Sequence, residues 1–175
     1  MLTNDNDASY AGKVISSWLV RYLNLADKPR LNTDKQAVVR TGRQKYYTEI
    51  LTGNHSLVAD EPLHVHGQDL GPSPYDLLVS ALGACTSMTL RMYADAKGLD
   101  VEVIKVHLQH TKEHVEDSRV AKGGKIDIIR REIEITGNIT HEQKLRMVEI
   151  ANRCPDHKTL HSNILVLTSL KDTEL

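Results

Sequence analysis

Apolar residues recur at three- and four-residue spacing in one long segment near the middle of the chain. The segment LLVSALGACTSMTLRMYADAK follows Ser73 and Pro74, which suit the N-cap and the first helical position. Asp76 completes a capping box and Gly98 suits the C-terminal cap. Because its other faces are apolar too, the pattern predicts a buried central helix. The repeating face comprises Leu78, Ala81, Leu82, Cys85, Met88 and Met92.

Segments with strand character flank this helix on both sides. Three short strands with turns at Thr41-Gly42 and Gly53-Asn54 are predicted before it, at Gln36–Arg40, Lys45–Leu51 and His55–Ala59. Two longer alternating strands are predicted after it, at 101–110 and 125–136, joined by a polar loop. Phase changes at 103–104 and near 129 suggest bulges. A last strand is predicted at Ile164–Thr168.

A second helix is predicted after Thr140, which forms a capping box with Gln143. Pro155 ends this helix immediately after Cys154. Its predicted inner face comprises Leu145, Val148, Ile150 and Ala151.

The N-terminal residues 1–30 are predicted to be an extension with a short amphipathic helix at Ser9–Leu25. Residues 31–175 then form the domain. The order of strands, helix, strands, helix and strand indicates an α+β fold, since a parallel α/β sheet would alternate regularly.

Composition narrows the class of function. The 175 residues carry a net charge of -1, so a nucleic acid or an acidic membrane is not the expected partner. The N-terminus lacks the pattern of a signal peptide, and no apolar run reaches the roughly 18 residues of a membrane span. We therefore expect a cytoplasmic protein, in which two cysteines are free thiols, catalytic thiols or metal ligands.

The cysteines are the candidate chemistry. Cys85 lies in the apolar helix and Cys154 beside Pro155, so only the fold can bring them together. The alternative interpretation is that both are buried structural residues, as cysteines often are. The C-x2-H-x3-H spacing of Cys154, His157 and His161 also fits zinc, with Cys85 as a fourth ligand. No cofactor is expected, because phosphate- and dinucleotide-binding motifs are absent from the sequence.

Two stretches resemble a known family. GPSPYDLLVSALGACTSMTLRMYA is similar to the central-helix signature of the OsmC/Ohr family, the osmotically inducible and organic-hydroperoxide-resistance proteins. NRCPDHKTLHSNI resembles its second-cysteine motif, and HSLVADEP resembles one OsmC-like branch. The resemblance covers about residues 36–170. It implies an intertwined homodimer, with two antiparallel β-sheets wrapped around central helices and two sites at the subunit interface.

The resemblance also implies a chemistry. In peroxidase members the first cysteine, here Cys85, attacks a hydroperoxide and becomes a sulfenic acid. The second cysteine, here Cys154, condenses with it to a disulfide that an external dithiol reduces. An apolar helix beside the site suits organic hydroperoxides better than hydrogen peroxide alone. The function expected is therefore a thiol peroxidase of the oxidative stress response.

The family stabilises the first thiolate with an arginine that a glutamate positions. Arg43 is the preferred match to this arginine, and Arg40 is the other candidate. The glutamate position, ten residues before the first cysteine, is occupied by Tyr75. Asp76 and Glu61 are the carboxylates that remain as replacements. This departure favours an alternative, a non-catalytic protein that binds a small hydrophobic or electrophilic ligand at the dimer interface.

Overall fold

The computed structural model describes residues 5–22, 30–114 and 125–171. The end of the predicted N-terminal helix and most of the predicted hairpin loop lie outside these ranges. The chain forms two compact units, residues 1–44 with 48–58 and residues 45–47 with 59–175. In chain order, the helices and strands are α1 (Asp5–Tyr22), β1 (Ala37–Thr41), β2 (Thr48–Thr52), β3 (His55–Ala59), α2 (Pro74–Lys97), β4 (Val101–His114), β5 (Lys125–Gly137), α3 (His141–Ala151) and α4 (Pro155–Leu160).

The first unit contains α1, β1, β2 and most of β3. The three strands form one sheet in sequence order, and β1 pairs with β2 in antiparallel register, with Val39 opposite Ile50. Gly53 has a φ of 55°, a left-handed conformation that glycine adopts without strain at the tight turn into β3. The three predicted short strands are thus confirmed, with bounds that differ by a few residues.

The caps predicted for the central helix are confirmed in the second unit. Ser73 accepts the backbone N–H of Asp76, whose carboxylate accepts the backbone N–H of Ser73, and Gly98 ends α2 in left-handed conformation. The prediction that α2 is buried on nearly all faces is wrong for the single chain. Only one stripe is buried, because one side of the helix packs on the hairpin and α3 while the rest faces outward. The stripe comprises Leu82, Gly83, Thr86, Leu90 and Ala94.

Strands β4 and β5 form the long antiparallel hairpin predicted after α2. Their register shifts once, between Val101 and Val103, close to the first predicted bulge. The second predicted bulge is wrong, since the pairing runs unbroken past Ile129. Helix α2 approaches the hairpin closely at Gly83, where a Cβ atom would lie 2.7 Å from a methyl carbon of Leu108.

Helix α3 has the predicted capping box between Thr140 and Gln143. Of its predicted inner face, Ile150 and Ala151 are buried as expected. Leu145 and Val148 are instead exposed, and Met147 is buried in the core. The predicted helix also ends earlier, at Ala151, and a separate short helix α4 begins at Pro155. The core of this unit comprises Leu90, Ala94, Val101, Ile135, Met147, Ile150 and Ala151.

The predicted last strand at Ile164–Thr168 is wrong for the single chain. The segment has no strand partner among the described residues, so its backbone gains no ladder hydrogen bonds. Its apolar side chains face outward, with Leu165 81% and Leu167 84% exposed. The apolar residues that suggest a strand are present, but no other part of the described chain packs over their side chains.

Helix α2 is the one helix in the described ranges that is long and apolar enough to cross a membrane, with a mean hydropathy of 1.2 over the best window. Core helices of soluble proteins share these properties. The packing of its Leu90 and Ala94 against Ile135 and Met147 favours a core helix.

Candidate thiol site

The fold brings the two cysteines together within the second unit. Cys85 lies in the middle of α2, and Cys154 lies at the N-cap of α4. Cys154 lies close enough to Cys85 to raise the pKa of its thiol, although the two residues are distant in sequence. The next residue on α2, Thr86, places its hydroxyl oxygen 3.6 Å from the Cys154 sulfur. The two thiols therefore form a pair where α2 meets α4, and neither is in a disulfide.

Cys154 is fully buried and caps α4 with its side chain. Its sulfur accepts the backbone N–H of His157 at 3.4 Å, as an N-cap oxygen would in a more common cap. Pro155 occupies the first helical position, where its missing N–H costs nothing. Cys154 thus begins α4 rather than ending α3, which corrects the predicted location.

Cys85 is more accessible than its partner and is half-buried. Burial raises the pKa of the Cys85 thiol, and the backbone N–H of Asp156 lowers it by donating to the sulfur. The hydrogen bond and charge of Cys154 raise the pKa further, as does the negative charge of Asp156. Within this unit the net effect is a raised pKa, which favours the protonated thiol.

An arginine that sequence reasoning missed lies beside this pair. Arg131 of β5 donates from Nη1 to the Thr86 hydroxyl oxygen at 2.9 Å and to the Ala151 carbonyl oxygen at 3.3 Å. Its Nη2 donates to the Asn152 side-chain oxygen at 2.8 Å. A sequence signal existed, since Arg131 occupies the apolar phase of β5 that also contains Ile133 and Ile135.

A cavity of about 480 Å³ lies beside Arg131 and His157, and neither cysteine is among its lining residues. Burial lowers the pKa of His157, and the positive charges of His161 and Arg131 lower it further. The cavity therefore combines apolar walls with neighbouring basic groups. It is lined by Leu82, Asp127, Ile128, Ile129, Arg131, His157, Leu160 and His161.

The predicted arginines belong to the first unit. Arg40 lies on β1 and forms an ion pair with Glu49 of β2, with Nη2 2.8 Å from the carboxylate. Arg43 is exposed after the end of β1. The cysteines belong to the second unit, so the assignment of either arginine to Cys85 stays a prediction.

The predicted carboxylates lie in the second unit, near the start of α2. Asp76 is exposed, and its carboxylate accepts from the backbone N–H and the hydroxyl of Ser73, which lowers the pKa of Asp76. Glu61 is half-buried in the preceding loop. The sequence reasoning missed Asp60, a buried carboxylate that accepts backbone N–H groups from Glu61, Gln68 and Leu70 and thereby orders this loop.

Tyr75, at the position where the resembled family has glutamate, contacts the β4–β5 hairpin. Its ring stacks on His110, with centroids 4.1 Å apart and planes 8° from parallel. Lys112 places its Nζ 5.5 Å from the Tyr75 ring centroid, and a hydrogen bond with Tyr75 raises the pKa of Lys112. The phenol is thus held by strand residues.

The zinc alternative lacks a ligand set in the part of the chain that the structure describes. No group of three or more histidine, cysteine or acidic side chains is placed to hold a metal ion there. The rings of His157 and His161 lie 4.4 Å apart, and Cys154 uses its sulfur to cap α4. The C-x2-H-x3-H spacing instead belongs to a short helix and its cap.

The two small antiparallel sheets, the capped central helix and the paired thiols define an α+β protein with a two-cysteine site. Residues 67–169, more than half of the chain, match the family model described as OsmC-like protein. The chain therefore belongs to the OsmC-like protein family. No curated protein matches it.

Solved structures show the same fold. An OsmC-like protein from Mycoplasma pneumoniae is 18% identical, with a TM-score of 0.60 over 75% of this chain and 89% of that one. The organic hydroperoxide resistance protein OsmC from Legionella pneumophila is 16% identical, with a TM-score of 0.55 over 75% and 93%. An organic hydroperoxide resistance protein from Elizabethkingia anophelis is 18% identical, with a TM-score of 0.56 over 78% and 93%. At these identities the likeness concerns the fold.

Proposed function

We propose that this protein is a thiol-dependent peroxidase that reduces organic hydroperoxides through Cys85 and Cys154. The observation that carries the proposal is the proximity of the two cysteines, since the hydroxyl of Thr86, the residue after Cys85, lies 3.6 Å from the Cys154 sulfur. A two-cysteine peroxidase needs its thiols close enough to form a disulfide after one of them has been oxidised. A purely structural role requires no such pairing of two residues so distant in sequence.

The difference in accessibility between the two cysteines assigns their roles. Cys85 is half-buried and reachable, whereas Cys154 is fully buried. The Cys85 thiolate attacks one peroxide oxygen, the O–O bond breaks, and the other oxygen leaves as an alcohol. The resulting Cys85 sulfenic acid then condenses with Cys154, which releases water and forms a disulfide. An external dithiol reduces the disulfide and completes the cycle.

The substrate class is proposed from the cavity that Arg131 and His157 line. Leu82 and Leu160 contribute apolar surface, which favours a hydroperoxide with an alkyl or acyl group. Fold relatives from two bacteria are named organic hydroperoxide resistance proteins, which agrees with this class. Hydrogen peroxide offers no apolar group for these walls to bind, so it is expected to be the poorer substrate.

Activation of Cys85 requires a group that lowers its pKa, since its own unit raises it. We assign this role to Arg43, with Arg40 as the second candidate because Glu49 already engages it. Glu61 is the proposed carboxylate partner of the arginine. Asp76 is the weaker candidate, because its carboxylate already caps α2.

We further propose that the working form is a homodimer, located in the cytoplasm where free thiols stay reduced. The exposed side of α2 carries Met88, 64% exposed, and Met92, 72% exposed. Further exposed apolar side chains come from Leu145 and Val148 of α3 and from residues 164–167 after α4. A second copy of the chain would cover this surface and place the thiols near the subunit interface, as the family resemblance implies.

A second candidate function is ligand binding without turnover. The raised pKa of Cys85 and the tyrosine at position 75 favour it, because both weaken the case for a reactive thiolate. Such a protein would hold a small hydrophobic or electrophilic ligand in the same cavity.

Turnover separates the two candidates. Purified protein is mixed with cumene hydroperoxide and dithiothreitol or dihydrolipoamide, and peroxide consumption is compared with that of hydrogen peroxide. A peroxidase consumes cumene hydroperoxide catalytically, loses all activity in Cys85→Ser, and loses multiple turnover in Cys154→Ser. Leu63→Ala, a substitution at an exposed residue before α2, serves as the matched control. Wild-type consumption no faster than that of Cys85→Ser would support the binding function instead.

A further inference from the structure

The guanidinium of Arg131 has an unusual position for a strand residue. It shares the inward phase of β5 with Ile133 and Ile135, where a charge loses hydration and needs compensating hydrogen bonds. Three acceptors supply them: the Ala151 carbonyl, the Asn152 side chain and the Thr86 hydroxyl. The Ala151 and Asn152 acceptors lie at the C-terminal end of α3, shortly before Cys154. They therefore hold the guanidinium beside the segment that leads into Cys154.

The donor in the Thr86–Cys154 contact can be assigned from the hydrogen bond between Arg131 and Thr86. A guanidinium only donates, so the Thr86 oxygen accepts from Arg131. The single hydroxyl hydrogen of Thr86 is then available for its other neighbour, the Cys154 sulfur at 3.6 Å. The backbone N–H of His157 donates to the same sulfur at 3.4 Å. Cys154 therefore faces two donors, one of them polarised by a positive charge.

We propose that Arg131, acting through the Thr86 hydroxyl, is a positioning residue that prepares Cys154 to attack oxidised Cys85. This inference rests on the proposed peroxidase function and adds the groups that drive its second step. Donors around a sulfur stabilise the negative charge that the attacking thiolate carries. Because Cys154 is fully buried, a dissolved peroxide does not reach it, and Cys85 is the neighbouring sulfur with which it reacts.

In the oxidised protein, Cys85 carries the sulfenic acid and Cys154 is still a thiol. The Cys154 thiolate attacks the sulfur of the Cys85 sulfenic acid, a sulfur–sulfur bond forms, and the sulfur–oxygen bond breaks. Hydroxide leaves and takes up one proton to become water. Arg131 and Thr86 keep their own protons throughout, so they affect the rate by orienting and stabilising the Cys154 sulfur.

Ellman's reagent isolates this step without any peroxide. The Cys85 thiolate attacks the reagent, releases one thionitrobenzoate and retains the other as a mixed disulfide. The Cys154 thiolate then attacks the Cys85 sulfur and displaces the second thionitrobenzoate. Release at 412 nm therefore has two phases, and the second phase reports the attack by Cys154 alone. In Cys154→Ser the second phase should be absent.

Thr86→Val keeps the shape of the side chain and removes the hydroxyl. We expect a second phase at least about tenfold slower than in wild type, as the loss of a hydrogen bond to a charged group implies. The first phase should change less than about twofold. Thr86→Ser retains the hydroxyl and should restore the second phase, which a purely structural role for the threonine methyl group would not do.

Arg131→Lys and Arg131→Ala should slow the second phase as well, with lysine the milder change because it keeps a charge without the planar fork. Arg130→Ala is the matched control, since Arg130 points to the other strand face and pairs with Glu113. If the Arg131 variants do not fold, the comparison of Thr86→Val with Thr86→Ser still tests the proposal. An unchanged second phase in Thr86→Val, or equal slowing in Thr86→Ser, would overturn the proposal.

The same variants distinguish this inference from the proposed function. With cumene hydroperoxide, Thr86→Val should form the Cys85 sulfenic acid at the wild-type rate but over-oxidise to sulfinic acid at lower peroxide concentration. If wild type consumes no peroxide while the Ellman phases behave as expected, the peroxidase function fails and the role of Arg131 stands. If wild type consumes peroxide catalytically and Thr86→Val leaves the second phase unchanged, the peroxidase function stands and the proposed role of Arg131 fails.

Discussion

The hydroxyl oxygen of Thr86 lies 3.6 Å from the sulfur of Cys154, and Thr86 directly follows Cys85 on α2. This relationship ties the start of α4 to the middle of α2 by a buried polar contact. The second cysteine is therefore already beside the first in the reduced protein. In the same reduced state the Cys154 sulfur accepts the backbone N–H of His157 at the cap of α4.

Peroxide treatment should therefore produce an intramolecular disulfide between Cys85 and Cys154. Because Cys154 contacts the residue that follows Cys85, we expect only a local movement before the two sulfurs bond. Mass spectrometry of digested, alkylated protein should identify the linked peptides after one equivalent of cumene hydroperoxide. Cys154→Ser should instead accumulate sulfenic and then sulfinic acid at Cys85. Linkage between two chains as the main product would contradict the assignment of the pair.

The pKa of Cys85 should fall when Cys154 is removed. Burial makes the largest contribution to raising this pKa, and the hydrogen bond and charge of Cys154 make the next largest. Cys154→Ala deletes both effects and leaves no hydroxyl to replace them. The rate of Cys85 alkylation by iodoacetamide follows the thiolate fraction, so its midpoint against pH should shift to lower pH in the variant.

Wild-type protein is a sound reference because its fully buried Cys154 should react much more slowly than Cys85. Peptide mapping after partial alkylation checks that assumption. A midpoint in Cys154→Ala equal to or above the wild-type value would show that the two thiols do not interact in solution.

The capped ends of the helices were predictable from sequence because their signals are local. Ser73 with Asp76 and Thr140 with Gln143 form the capping boxes that their spacing indicates. A capping box depends on four consecutive residues, so no knowledge of the rest of the fold is needed. Gly98 ends α2 for the same local reason.

The buried face of α2 was not predictable in the same way. Because the helix is apolar on several sides, periodicity alone does not choose between the stripe through Leu90 and the side bearing Met88 and Met92. Tertiary contacts with the hairpin and α3 decide it. Arg131 was missed for a related reason: a charged residue within a strand is usually assigned to solvent, although its phase matched Ile133 and Ile135.

Asp76 should contribute to stability more than to peroxide reduction. Its folded-state pKa is lowered by the Ser73 hydrogen bonds, so the stabilisation is present above the unfolded pKa near 3.8 and is lost as pH falls through the lower folded value. Asp76→Asn should lower stability at pH 7 by about 0.5 kcal/mol, the usual size for an anion in the first helical turn. The difference from wild type should shrink in acid.

Urea unfolding at pH 7 and below pH 4 measures both values, and peroxide consumption by the folded variant measures the other role. A carboxylate that instead held the activating arginine would be needed for activity, so Asp76→Asn would then lose turnover. Glu61→Gln is the comparison variant, because we assign the arginine partner to Glu61.

The exposed apolar surface of the second unit predicts a dimer in solution. Met92 is 72% exposed on α2, and Leu165 is 81% exposed in the segment after α4. Soluble monomers rarely expose large apolar patches, so we expect a second copy of the chain to cover these side chains. Met92→Glu places a charge on this surface and would bury it in a dimer interface, which is strongly unfavourable unless the charge is paired. Wild type should therefore be dimeric by light scattering at micromolar concentration, and Met92→Glu should shift toward monomer.

Lys97→Glu, at the exposed end of the same helix, is a control for added negative charge and should remain dimeric. A monodisperse wild-type monomer would contradict the dimer, and the exposed side chains would then require a different partner.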